Sequence, residues 1–107
     1  MNTGAPRLSA LVVAHDEEAQ IADCLAALAF ADEIVVVLDR CSDRTGEIAE
    51  RLGARTIAGA WPLEGPRRNV GIAACTGDWI LEVDADERVT EALAREVRAV
   101  IATAPYG

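Results

Sequence analysis

The chain has 107 residues, enough for one hydrophobic core and too few for two, and its 51% apolar content, supplied mostly by Ala, Val, Leu and Ile despite few aromatics, fits a compact α/β protein better than a disordered one. Its formal charge is −8, from 18 acidic and 10 basic residues, and every basic residue is Arg. That balance argues against bare nucleic acid or an anionic membrane as a partner, and a phosphate ligand would require a bridging cation or a well-placed Arg.

Leu8 to Ala14 is a continuous apolar run closed by His15, Asp16, Glu17 and Glu18, the pattern of a strand buried on both faces of a parallel sheet. It is too short to span a membrane or to form the core of a signal peptide. Ile21, Cys24, Leu25 and Leu28 then fall on one stripe of a helix. Ile34 to Leu38 is a β-branched strand ending at Asp39. Arg44 to Leu52 follows as a helix with a Glu47–Arg51 pair, capped by Ser42 or Asp43 and terminated by Gly53. A short strand at 55–58 comes next. Gly59 to Pro66, with its Gly and Pro residues, reads as a loop, and Pro66 opens a helix that runs to about Cys75. Thr76-Gly77-Asp78 turns into the strand Trp79 to Val83, which delivers Asp84 and Asp86 to its end. Thr90 caps a last helix, ending near Thr103, whose Leu93, Val97, Val100 and Ile101 share a face. Cys24, Cys41 and Cys75 are odd in number and form no CxxC pair, so they suggest neither a disulfide framework nor a zinc site, and a reducing, cytoplasmic compartment is expected.

Strands alternating with helices predict an α/β fold, a three-layer α/β/α arrangement with a mostly parallel, Rossmann-like sheet of about four strands, in one domain spanning residues 1–107. Ligands bind such sheets outside the carboxyl ends of the strands, and those ends carry His15-Asp16, Asp39 and Asp84-Ala85-Asp86. Two carboxylates separated by one residue at a strand exit suit a hard cation that shares substrate phosphates, Mn²⁺ or Mg²⁺. An Asp-x-Asp triplet alone is also a common solvated turn; its position after an apolar strand is what shifts the reading toward a metal. Asp39 has two readings, a cap for the following turn or an acceptor for a base N–H or a ribose hydroxyl. His15 is a solvated loop residue or a ligand contact. Arg67 and Arg68 sit at the start of a helix, where the dipole does not favour cations, so pairing with a diphosphate and pairing with carboxylates both stand.

Leu11-Val12-Val13-Ala14-His15-Asp16-Glu17-Glu18, Ala31-Asp32-Glu33-Ile34-Val35-Val36-Val37, Asp39 with Ser42-Asp43-Arg44-Thr45, Arg68-Asn69, and Thr76-Gly77-Asp78-Trp79 leading to Asp84-Ala85-Asp86-Glu87-Arg88 occur in an order that resembles the N-terminal part of family 2 glycosyltransferases of the GT-A fold, especially the branch that builds lipopolysaccharide and other surface glycans. The resemblance implies a site for a nucleoside diphosphate sugar, most readily a UDP-sugar. Ala14, His15 and Asp16 would border the base, Asp39 would contact it, and Arg68 would lie near base and diphosphate. Asp84 would approach ribose or metal, and Asp86 would ligate the metal. It also implies transfer to a glycan or lipid-linked acceptor by a cytoplasmic enzyme, without a membrane span of its own and peripheral to the inner face of the membrane.

This chain departs from the family pattern at Arg40 and Cys41, where small residues are usual. Family members also continue past the metal motif into the part that binds the acceptor and supplies the catalytic base. The expectation is therefore a GT-A domain truncated before its acceptor half, with no base to assign, and with homodimerisation through the surface so exposed. A non-catalytic nucleotide- or metal-binding module is the alternative.

Overall fold

The computed structural model describes residues 6–103. In chain order the elements are β1 (Leu8–Ala14), α1 (Ile21–Ala26), β2 (Glu33–Asp39), α2 (Thr45–Arg51), β3 (Arg55–Gly59), α3 (Glu64–Ala74), β4 (Trp79–Asp84) and α4 (Glu91–Thr103). The four strands form one sheet in the order β3-β2-β1-β4, every pairing parallel. The α/β expectation holds, as does the number of strands.

β1 is central because it can be buried on both faces. Ala10, Val12 and Ala14 pack with Ile21, Cys24 and Leu25 of α1 and Ala49 of α2. The alternate residues Leu11 and Val13 pack with Val35, Val37 and Ile57 under α3. Gly71 lets α3 lie close, since a Cβ there would fall 2.6 Å from Leu11 Cδ1 and 2.9 Å from Val37 Cγ2. The register sets Val12 beside both Val36 and Val83, so one apolar layer runs across three strands.

Helix ends follow the local chemistry. α2 terminates where Gly53 takes φ +89°, with Gly53 N–H bonded to Glu50 O and Ala54 N–H to Ala49 O, each at 3.0 Å, so the last carbonyls are satisfied. Asp43, not Ser42, supports its start: Asp43 Oδ1 accepts from Thr45 N–H at 2.9 Å. Thr90 Oγ1 accepts from Leu93 N–H at 3.1 Å, as a cap should.

Three details differ from the sequence reading. α1 stops at Ala26, and Leu28 is buried from the turn that follows it. α3 begins at Glu64, inside the stretch read as loop, with Pro66 in its first turn as expected. The apolar face of α4 is only partly covered: Ile101 is 5% exposed, while Leu93 and Val100 are 42% and 56% exposed. With Trp79 and Leu81 they line an apolar groove of about 600 Å³ beside β4. Among the described residues no helix is long and apolar enough to cross a membrane.

The strand order places the functional end of the sheet. From β1 the chain steps to β2 and β3 on one side, then returns through α3 to pair β4 on the other side of β1. α1 and α2 cover one face of the sheet and α3 the other, and the crevice lies outside the carboxyl ends of β1 and β4, where the strand order reverses.

Candidate functional site at the carboxyl ends of β1 and β4

A cavity of about 310 Å³ occupies that crevice, walled by Val13, His15 and Glu17 from the β1 side, Asp84, Ala85 and Asp86 from the β4 side, and Arg67 from α3. Asp84 is the last residue of β4, in register with Val13. Ala85 is 3% exposed and belongs to the core, which leaves the residues on either side of it, Asp84 and Asp86, at the surface. Glu87 closes the turn: its Oε1 accepts from Asp84 N–H at 2.7 Å, and its own N–H donates to Asp84 O at 2.9 Å. The Asp84 and Asp86 carboxylates make no hydrogen bond or salt bridge among the described residues.

That donor set fits a hard divalent cation. Mg²⁺ or Mn²⁺ is commonly held by one or two protein carboxylates, with phosphate oxygens and water completing the shell. Among the described residues no three His, Cys, Asp or Glu side chains gather to hold an ion by themselves, so ligand oxygens would have to supply the remaining positions.

Asp39 ends β2 and its side chain is fully buried. Both oxygens are filled from within the protein. Oδ1 accepts from Arg40 Nε at 3.1 Å and Trp61 N–H at 2.9 Å; Oδ2 accepts from Arg40 Nη2 at 3.1 Å and Arg67 Nη1 at 3.0 Å. The Arg40 bond above all, then the Trp61 N–H and Arg67, hold the carboxyl well below the usual carboxylate range despite its burial. Arg67, not Asp39, therefore lines the cavity at this wall.

His15 Nδ1 lies 2.7 Å from Asp39 O. A carbonyl only accepts, so Nδ1 carries the proton and Nε2 is the ring nitrogen left over. Asp16, at φ +51°, is used by the loops: its Oδ1 accepts from Ser42 N–H at 2.6 Å and Asp43 N–H at 3.2 Å, which ties the end of β1 to the turn after β2. Arg40 has φ +52°, so adjacent strands end in left-handed residues that are not glycine, the kind of backbone strain that gathers at sites.

Of the residues marked from sequence, the structure brings His15, Asp84 and Asp86 together on one cavity, with Ala14 and Asp39 buried behind its walls. Arg68 and Asp16 are not on it. Arg68 forks onto Glu82 Oε1, with Nε at 3.0 Å and Nη2 at 2.7 Å, and spends its charge there. Arg67, its neighbour, takes the cavity position, whereas the family resemblance had assigned the site to Arg68. Glu17 and Glu87 went unmarked; the signal for Glu87 was its spacing of three from Asp84, enough for a side chain to reach back to the turn.

The family profile of glycosyl transferase family 2 matches residues 9–106. An uncharacterized glycosyltransferase of Rickettsia felis is 33% identical over 98 residues, which make up 91% of this chain and 35% of the relative. Among solved structures, S. aureus TarS superposes with a TM-score of 0.71 at 27% identity, over 89% of this chain and 32% of that one. Glucosyl-3-phosphoglycerate synthase from Mycobacterium tuberculosis, solved in complex with uridine-diphosphate, gives a TM-score of 0.68 at 25% identity, over 77% of this chain and 34% of that one. The chain thus spans about a third of the length of the relatives it matches.

Proposed function

This chain belongs to glycosyl transferase family 2, and from that premise we propose that its crevice is the donor site of a cytoplasmic glycosyltransferase that takes a nucleoside diphosphate sugar, a UDP-sugar, and transfers the sugar to a glycan or lipid-linked acceptor. The observation that carries the proposal is the pair of carboxylates, Asp84 and Asp86, standing without partners among the described residues at the end of β4, on a cavity at the sheet's switch point. The uridine-diphosphate bound by the related synthase supports uridine as the nucleoside.

In this reading Asp84 and Asp86 hold Mg²⁺ or Mn²⁺, which when bound neutralises charge on the diphosphate as it departs. His15 borders the nucleoside, its ring fixed by the bond to the Asp39 carbonyl, with Ala14 buried behind it. Asp16 acts at one remove, holding the loop after β2 in place. The general base that deprotonates the acceptor hydroxyl is assigned to no residue of this chain. The cavity's own carboxylates, Glu17, Asp84 and Asp86, repel a bare diphosphate, so the cation is a condition of binding rather than an accessory.

Titration calorimetry with UDP, with and without Mn²⁺, tests this on the wild type and on Asp84→Ala and Asp86→Ala. Binding that requires Mn²⁺, and falls at least tenfold in either variant, is expected. A folded wild-type sample that takes up no UDP with Mn²⁺ present would sink the proposal.

A further inference from the structure

Resting on the donor-site reading above, we propose that Arg67 is the phosphate-binding side chain of the cavity, a cation delivered to it by the buried carboxylate of Asp39. Among the residues that wall the cavity Arg67 alone carries a guanidinium; the other ionised side chains there, Glu17, Asp84 and Asp86, are acidic. An anion entering this crevice has one positive side chain to meet before any metal is counted.

Charge counting around Asp39 supports the same assignment. Two guanidinium groups, Arg40 and Arg67, share this one carboxylate, with Nη1 of Arg67 3.0 Å from Oδ2. The cluster is therefore one positive charge in excess. Arg40 lines a different pocket, against α2 and β3, and grips the carboxylate through both Nε and Nη2. Arg67 lines the crevice and makes, among the described residues, a single hydrogen bond. Its side chain is 25% exposed, and its Nε is buried with no partner, so donor capacity remains unused on a guanidinium already held in place.

Oxygens of a phosphate or diphosphate match that capacity, since a planar fork of N–H donors pairs with them in two-point fashion. Arg68 does not compete for the role, because its fork is occupied by Glu82 on the outer part of the sheet. The division of labour would then be Asp84 and Asp86 holding a cation on one wall and Arg67 pairing with phosphate oxygens from the other.

The test is calorimetric titration of the 107-residue chain, and of Arg67→Gln, Arg67→Lys and Arg68→Gln, with UDP, uridine and inorganic pyrophosphate in the presence of Mn²⁺. Circular dichroism and a thermal melt show that each variant is folded. We expect Arg67→Gln to weaken UDP and pyrophosphate about tenfold while uridine is unchanged, Arg67→Lys to fall between, and Arg68→Gln to match the wild type. Wild-type affinity for UDP in Arg67→Gln overturns this inference and leaves the donor site standing. Equal losses for uridine and UDP overturn it too, since the residue would then serve the nucleoside. Pyrophosphate binding that depends on Arg67 in a chain that ignores UDP keeps the inference and removes the nucleotide reading. A wild type that binds neither ligand removes both.

Discussion

Asp39 shows how one buried carboxylate organises its neighbours. With four donors directed at it, its ionised form is favoured in the folded chain. A carboxyl whose folded value lies below its unfolded value of about 3.9 stabilises the fold above that value, and the contribution fades as pH falls from there toward the folded value. Asp39→Asn should therefore be less stable than the wild type at pH 6, and the gap in chemical denaturation should close progressively below about pH 4. A gap of constant size down to pH 2 would mean that the Asp39 charge is not the source. Asp16 fastens a loop at the surface through backbone N–H groups, whereas the Asp84 and Asp86 carboxylates have no donor among the described residues.

At the scale of elements, the approach of α3 to the sheet determines where Arg67 stands. The helix rests on Leu11 and Val37 at Gly71, one turn beyond Arg67, and no side chain fits between. Gly71→Ala must displace Leu11 Cδ1 and the stiffer Val37 Cγ2, and overpacking of this kind costs ~1–3 kcal/mol. Urea denaturation should show that loss; an unchanged midpoint would mean that α3 lifts from the sheet without penalty. Because Arg67 rides on the same helix, a shift of α3 that absorbs the methyl group would also weaken UDP binding. β4 contributes in another way, since the core position of Ala85 after the strand end separates the two carboxylates and leaves both at the surface.

For the molecule as a whole, a net charge of −8 makes the proposed donor site depend on a cation, and this gives a global readout. A ligand that binds only the folded chain stabilises it by about 2.7 kcal/mol at a hundred times its Kd. UDP with Mn²⁺ at that level should raise the melting temperature by several degrees in scanning calorimetry, and EDTA should abolish the rise. The same rise with UDP alone would show that the acidic wall tolerates the diphosphate unaided.

Much of this was legible in the residues taken in order. Continuous apolar runs such as Leu8 to Ala14, ending in polar clusters, determine parallel strands and which end of each bears chemistry, because burial on both faces leaves only the strand exits for polar side chains. Position after a strand likewise marked Asp84 and Asp86. What the chain read linearly left open was which side chains meet. Arg67 and Arg68 are neighbours with the same chemistry, yet successive helical residues point about 100° apart, so only the docking of α3 at Gly71 decides that one lines the crevice and the other reaches Glu82. Asp39 is read from sequence as a ligand contact, but its burial under Arg40, Arg67 and the Trp61 N–H depends on residues up to 28 positions away. Partners at that distance are set by how strands and helices pack, and no local pattern encodes them.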